Sequence, residues 1–237
     1  MALVFHNGES EYTDVLRNSN LGDSYVCVIG GDGTLLRALS NFGYGLVPTV
    51  LAFNNGTVGH LLPLKLQDLR NILKAIEKNE LTTFKKSRLL VSSHGILVAN
   101  ELVVRSKMFR LNRFNIAING YGFELYASEL VVSTRTGSSG YNLSLNGPLA
   151  FTECIILNCV GANRTRFTPI VLPTDVRIRI DTENCYGSFD GNELIENDRS
   201  NNMFEIAQGD SYEIAVSESY QDFDRINEIF YNTRNKS

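Results

Sequence analysis

The pattern of apolar and polar positions along the 237-residue chain changes character once, near Leu81. Before that point, runs of β-forming residues alternate with stretches of helical spacing. Leu3-Val4-Phe5, Tyr25-Val26-Cys27-Val28-Ile29 and the run from Val47 to Phe53 have strand length and little internal alternation, as expected for strands buried on both faces. A short helix is predicted over Glu11–Arg17, a second at Leu35, Leu36 and Leu39, and a third through Leu66, Leu69, Ile72, Leu73 and Ile76. The third has Asp68 early and Lys74 and Lys78 late, which suits the helix dipole. Strand followed by helix, three times over, predicts an open parallel sheet in an α/β domain over residues 1–80.

After Leu81 the pattern becomes that of an antiparallel β protein. Arg88–Val91 and Ile96–Val104 flank a Ser93-His94-Gly95 turn, and Phe114–Ile118 and Tyr121–Leu125 flank Asn119-Gly120, a strong hairpin signal. Leu130-Val131-Val132, Cys154–Val160, Asp175–Asp181, Cys185–Phe189, Met203–Ala207 and Tyr212–Val216 complete the series. The segment VRIRI alternates cleanly, so one of its faces is expected to be wet. Phe223, Ile226, Ile229 and Phe230 form a closing helical stripe that requires an apolar surface. The expected division is therefore a β-rich domain over 81–218, with 219–237 returning to the first domain as a C-terminal helix.

Composition narrows the function. With 43% hydrophobic and 20% charged residues the chain reads as an ordinary globular protein. A net charge of −4 argues against nucleic-acid or membrane-surface binding, either of which needs a basic face. Any phosphate must then be bound locally. Cys27, Cys154, Cys159 and Cys185 show no C-x-x-C spacing and read as free thiols, mostly buried, of a reducing compartment. His6, His60 and His94 lie too far apart for a metal-ligand motif. Met1 leads almost directly into the first strand and no apolar run approaches membrane-spanning length, so a cytoplasmic protein is expected.

The candidate chemistry lies in the loops. Gly30-Gly31-Asp32-Gly33-Thr34 follows a buried strand and opens a helix. Glycines there allow close approach of backbone to an anion and positive φ, while free N–H groups at the helix start point at it. A carboxylate in such a cradle suggests a proton acceptor, a metal ligand or a hydroxyl binder, and Arg37 lies one turn on. The bland alternative is a tight turn with a helix cap. Asn54-x-Gly56-x-x-Gly59, before His60, ends the next strand, so both Gly-rich loops fall beyond the carboxyl ends of a parallel sheet, where ligands bind.

Asn100-Glu101 interrupts an apolar strand and could read a ribose or a base edge, or form only a bulge. Thr134-Arg135-Thr136-Gly137-Ser138-Ser139-Gly140-Tyr141-Asn142 supplies hydroxyls and one aromatic ring, which suits a nucleotide, although such loops are commonly connectors. Asp190-Gly191-Asn192 has the chemistry of a hairpin tip.

In this order the motifs GGDGT, NNGTVGHL, NE, TRTGSSGYN and FDGN resemble the NAD kinase family over nearly the whole chain, including PIVLP at Pro169–Pro173. The resemblance implies a β-sandwich-like second domain, a C-terminal segment that returns to the first, and a homodimer or homotetramer in which neighbouring subunits help complete the NAD site. It implies transfer of a phosphoryl group from ATP to the 2′-hydroxyl of the adenosine ribose of NAD. Asp32 would be the base, Gly30, Gly31, Gly33, Thr34 and Arg37 the phosphate cradle, and Mg²⁺ would arrive with ATP. Asn54, Gly56, His60, Asn100, Glu101, Ser128, Thr136, Ser139, Gly140, Tyr141, Asp190 and Asn192 would form the NAD pocket.

Four positions depart from the family pattern: Arg135 where Pro is usual, Gly140 for Ala, His60 for Phe, and Ser128 for an Asp that holds the nicotinamide carboxamide. Strand alternation turns the neighbouring Glu129 away from that position, unless a bulge shifts the register and brings it inward. Two other readings share some of these features: a lipid or small-alcohol kinase built on the same GGDGT fold, and a non-catalytic nucleotide sensor.

Overall fold

The computed structural model describes residues 3–8, 11–56, 59–108, 110–163, 167–196, 203–221, 223, 226, 229 and 230. The chain divides into two units, one of Met1–Lys86 with Ser211–Ser237 and one of Ser87–Asp210.

The first unit opens with β1 (Leu3–His6), α1 (Glu11–Arg17), β2 (Tyr25–Gly30), α2 (Asp32–Leu39) and β3 (Thr49–Asn54). A two-residue β4 (Leu64–Lys65), α3 (Leu69–Glu77) and the start of β5 (Thr83–Val91) follow. β1, β2 and β3 are parallel neighbours in that order, and β4 adds a short parallel pair to β3. The apolar runs work as their lack of alternation suggests. Cys27, Ile29, Leu51 and Phe53 join a core with Leu16 of α1 and Leu69 and Ile72 of α3. Val26, Val28, Val50 and Ala52, on the alternate positions, are equally buried.

The second unit contains β6 (Ile96–Val98), β7 (Glu101–Ser106), β8 (Asn112–Ile118), β9 (Tyr121–Ala127), β10 (Glu129–Thr134), α4 (Tyr141–Ser144), β11 (Ile155–Val160), β12 (Ile170–Leu172), β13 (Ile178–Thr182), β14 (Cys185–Phe189) and β15 (Asn192–Glu196). The last strand, β16 (Met203–Ala215), begins here and ends in the first unit. One antiparallel sheet has the order β12-β11-β10-β7-β14-β15. A second antiparallel set runs β9-β8-β13-β16. One core draws on both, with Leu102, Leu130 and Leu157 from the first and Phe114, Ile180 and Phe204 from the second. In β13, Ile178 and Ile180 are buried and Arg179 is exposed, the alternation expected of VRIRI. Asn119 and Gly120 take φ of 49° and 86°, turning the β8–β9 hairpin as its sequence predicts.

Three expectations change. Ile96–Val104 is not one strand, because it breaks at Ala99-Asn100. Met203–Ala207 and Tyr212–Val216 are not two strands but parts of β16. Gln208-Gly209-Asp210 reads locally as a turn, yet a side chain on Gly209 would lie 3.1 Å from the Arg88 carbonyl and 2.8 Å from Leu97, so glycine serves close packing there. Asp210 then holds Arg88 in a buried two-pronged ion pair, with Nε–Oδ1 2.7 Å and Nη2–Oδ2 2.6 Å. β12 and β15 are additional strands that the pattern does not predict. Of the closing stripe, Ile226, Ile229 and Phe230 are helical, while Phe223 and Phe230 are exposed. The four cysteines are free thiols, and burial pushes Cys27 up to about 12. Among the described residues no helix is long and apolar enough to cross a membrane.

Candidate active site

The phosphate loop is built by the register of the first sheet. Gly30 ends β2 directly opposite Asn54 at the end of β3, so the two Gly-rich loops leave the same edge side by side. Gly31 is the helix cap in extended conformation (φ −114°, ψ −174°), and the first helical bond runs from the Thr34 N–H to the Gly31 carbonyl. The N–H groups of Asp32 and Gly33 precede that bond and have no intrahelical acceptor. None of the loop's three glycines has positive φ, contrary to expectation. What they provide is the missing side chain. A Cβ on Gly30 would fall 2.5 Å from Thr34 Oγ1, and beside Gly33 there is open space.

Asp32, half-buried at the first position of α2, joins the two loops. Its Oδ1 accepts from the Leu61 N–H at 2.9 Å and its Oδ2 from the His60 N–H at 3.3 Å. A carboxylate offers about four acceptor positions, so two remain for a ligand. In the second loop Asn54 Oδ1 accepts from the Gly56 N–H at 2.8 Å, and a Cβ on Gly59 would collide with the Asn54 amide at 2.6 Å. His60 is half-buried; Thr57 and Val58 lie outside the described residues. Arg37 is exposed on α2.

In the second unit the break at Ala99-Asn100 is held from a distance in sequence. Asp190 and Gly191, with φ of 51° and 70°, turn the β14–β15 hairpin. The buried Asp190 carboxylate accepts from the N–H groups of Ala99 (2.8 Å), Asn100 (2.6 Å) and Glu101 (3.3 Å). This hairpin tip therefore fixes the backbone of the Asn-Glu pair and leaves the pair's side chains free to act. Both are buried, and Asn100 Oδ1 and Glu101 Oε2 find no donor among the described residues. Burial first, and the neighbouring Asp190 charge second, push the Glu101 carboxyl up to about 7. Burial pushes Asp190 up to about 6 against the opposing pull of its backbone donors.

The third loop packs onto this pair. Its residues Thr136–Ser139 form a 3₁₀ turn and Tyr141–Ser144 a short helix. Gly137 is required because a Cβ would strike the Asn100 carbonyl, and a Cβ on Gly140 would lie 3.1 Å from Glu101 Oε2. Thr134 Oγ1 donates to the Ala99 carbonyl at 2.6 Å and accepts from the Gly137 N–H at 3.0 Å. Asn142 donates to the Ser138 and Pro148 carbonyls and accepts from Asn158 at 3.1 Å. Thr136 is buried, and the Ser139 hydroxyl donates to its carbonyl at 3.3 Å. Asn158 was not foreseen; its signal is a lone amide within the apolar strand IILNCV.

Ser128 and Glu129 do not follow the expected alternation, because Ser128 lies at the corner between β9 and β10 and not inside a strand. The Ser128 hydroxyl donates to the Val160 carbonyl at 2.9 Å. Glu129, not Ser128, reaches the third loop: its Oε2 accepts from the Tyr141 hydroxyl at 2.9 Å. Asn192, half-buried, begins β15 opposite Phe189.

Known proteins resemble this chain in sequence and in fold. The sequence model of the ATP-NAD kinase N-terminal domain matches residues 6–81, and that of the ATP-NAD kinase C-terminal domain residues 98–226. The chain is 33% identical over 184 residues to an NAD kinase of Citrifermentans bemidjiense, covering 72% of this chain and 62% of that one. It is 28% identical over 169 residues to the mitochondrial NADH kinase pos5 of Schizosaccharomyces pombe, covering 67% of this chain and 44% of that one. It thus spans less than two thirds of the length of either relative. In fold it is similar to an NAD kinase from Archaeoglobus fulgidus crystallised with ATP (TM-score 0.80, 22% identity, 98% of both chains). It is also similar to yeast NADH kinase crystallised with NADH (TM-score 0.79, 23% identity, 90% of this chain and 67% of that one). With both family models matched in order along most of its length, the chain belongs to the ATP-NAD kinase family.

Proposed function

We propose that this chain is an ATP-dependent NAD kinase, moving the terminal phosphoryl group of ATP to the 2′-hydroxyl of the adenosine ribose of NAD and so making NADP. The observation that carries the reading is the pair of buried acceptors, Asn100 Oδ1 and Glu101 Oε2, without a donor among the described residues. Buried acceptors left unpaired are costly. A ribose, which presents adjacent hydroxyl donors, is the kind of ligand that relieves them. The family membership and the ATP- and NADH-bound relatives of like fold support the same assignment.

The donor machinery falls within 1–80, to which 219–237 belongs, and most of the acceptor machinery within 81–218. Gly30, Gly31, Gly33 and Thr34 hold the donor phosphates, with backbone N–H groups and space where side chains would be, and Arg37 assists from α2. Asp32 accepts a hydrogen bond from the 2′-hydroxyl and takes its proton as the O–P bond forms and the bond to ADP breaks. The transition state is loose, so orientation and charge neutralisation outweigh deprotonation.

Mg²⁺ is bound mainly by substrate phosphates and needs only one or two protein carboxylates. Asp32, with acceptor positions to spare, fits that need, and the ion supplies charge neutralisation on the phosphates. Asn100 and Glu101 fix the adenosine ribose, with Asp190 acting through their backbone. Thr136, Ser139, Gly140 and Tyr141 bind the acceptor nucleotide, as do Asn54, Gly56, His60 and Asn192, while Ser128, whose hydroxyl is spent on the Val160 carbonyl, acts only by shaping the backbone of its corner. The protein works in the cytoplasm as a homodimer or homotetramer, a setting that its free thiols suit.

Incubating the purified protein with ATP, Mg²⁺ and NAD, or NADH in parallel, and assaying NADP(H) tests the reading. Absence of product with either acceptor, from protein that still binds ATP, overturns it.

A further inference from the structure

Three neighbouring strands of the second unit carry one polar ladder. Glu129 on β10 and Tyr186 on β14 are both cross-strand partners of Arg105 on β7. Arg105 Nε lies 2.8 Å from Glu129 Oε1, and Tyr186 flanks Arg105 on its other side. The other oxygen of Glu129 receives the Tyr141 hydroxyl at 2.9 Å. Glu129 is thus committed at both oxygens, one to a strand neighbour and one to the third loop.

Stability alone is a poor account of this ladder. The Arg105 side chain is 46% exposed, and ion pairs of such exposure contribute little. The Glu129 side chain is only 14% exposed, so its desolvation opposes the gain. Geometry gives a better account. Tyr141 is held at both ends: its backbone opens the short helix α4 with its N–H turned toward the Glu101 carboxylate, and its hydroxyl donates to Glu129. A tyrosine has two side-chain torsions: fixing its backbone and its distal oxygen sets the first and with it the ring axis, and the preference of a phenolic O–H for the ring plane orients the face. A side chain on the residue before it, Gly140, would lie 3.1 Å from Glu101 Oε2, one of the two open acceptors. The ring is therefore set at a fixed angle next to the pair that holds the ribose, where a flat face can stack on a planar base.

We propose that Glu129, steadied by Arg105, is a positioning residue for NAD: it holds the Tyr141 ring in the orientation that receives the acceptor nucleotide. The proposal rests on the NAD kinase reading above. It assigns the carboxylate of this corner to Glu129 and gives it an indirect part, since both oxygens are already occupied.

Steady-state kinetics of Glu129→Ala, Glu129→Gln, Tyr141→Phe and the Glu129→Ala/Tyr141→Phe double variant test it. The KM for NAD is expected to rise about three- to tenfold in Glu129→Ala and in Tyr141→Phe, the scale of one hydrogen bond to a charged group. The KM for ATP should stay put, and kcat should fall less than the KM rises. The double variant should be no worse than either single one, because both remove the same bond. Glu129→Gln keeps an acceptor for the phenol and should recover most of the NAD affinity. NMR of ¹³C-labelled tyrosine, with Tyr141→Phe to assign the signal, should show the Tyr141 phenol titrating at lower pH once Glu129 is Ala.

An unchanged KM for NAD in Tyr141→Phe, equal losses for NAD and ATP, or additive losses in the double variant would overturn the proposal. Tyr141→Phe removes a single oxygen and carries the test if Glu129→Ala fails to fold. A wild-type protein that makes no NADP overturns the NAD kinase reading itself. An active wild type whose Tyr141→Phe variant is unaltered overturns only the positioning role.

Discussion

At the end of β2, Gly33 has nothing within 4 Å of where a side chain would begin, and Asp32 is half-exposed between two loops. At the break between β6 and β7, a side chain on Gly137 would run into the Asn100 carbonyl, and Asp190 is buried beneath three backbone N–H groups. Both places hold backbone in an irregular shape for a polar ligand. On the function proposed above, the first is open because a nucleoside triphosphate is large and carries its own charge. The second would be dry to recognise a few neutral hydroxyls, since a hydrogen bond gains strength as the surrounding dielectric falls. An open cradle tolerates change in shape but not in chemistry; a dry one tolerates neither.

The sharpest way to break this comparison is at Asp32. Asp32→Asn keeps the size of the side chain in a half-exposed position, so thermal stability should hold while kcat falls roughly 10²–10⁴-fold. Near-normal turnover by the purified variant would remove Asp32 from the chemistry.

Next in size is a pH effect confined to the dry site. Glu101 and Asp190 stand near 7 and 6, above their ordinary values of 4.5 and 3.8. For acids raised in this way, stability is fully present below the ordinary values and is lost as pH rises through the folded ones. Glu101 alone should account for about 3 kcal/mol at most between those limits. Urea unfolding at about pH 5 and about pH 8 should give a lower midpoint at the higher pH, and Glu101→Gln should flatten the difference. An equal pH dependence in wild type and variant would show that Glu101 ionises without penalty.

A pair of glycine substitutions sharpens the steric side. Gly137→Ala should destabilise by about 1–3 kcal/mol, because backbone must move to admit the methyl group. Gly33→Ala, placed in open space, should leave the melting temperature within error and change only the KM for ATP. Similar melting temperatures for both would contradict the contrast between the two sites.

The smallest expected effect is at Ser128. Removing its hydroxyl bond to Val160 in Ser128→Ala should cost about 1 kcal/mol of stability and leave the KM for NAD unchanged. A raised KM in kinetics would mean that the hydroxyl meets the nucleotide directly.

What the sequence makes legible follows the range of the interactions concerned. The buried runs YVCVI and VLAF, the hairpin at Asn119-Gly120 and the strand–turn–helix around GGDGT are local, and their residues carry the whole signal. The convergence of the two Gly-rich loops is also legible, because parallel strands place their carboxyl ends together. Asp190 reads as an idle hairpin tip because the three N–H groups it serves lie about ninety residues earlier. Glu129 is legible only as the alternative to Ser128, for a related reason. Alternation assumes an unbroken strand, and the corner at Ser128 breaks it. Gln208-Gly209-Asp210 has every mark of a turn, yet Asp210 pairs with Arg88, far away in the chain, and the strand runs straight.

That last strand has a consequence for the order in which the molecule can be made. β3 takes β2 on one side, and a parallel neighbour at Val50 is supplied by Ile214 of β16. A nascent chain therefore releases Met1–Lys86 without that edge partner, which emerges only after Ser87–Asp210 has been synthesised. Domains commonly fold from the N-terminus as they appear. Here the first half appears with only β4 on that edge of β3, and the partner of Val50 is the end of a strand whose beginning belongs to the second half.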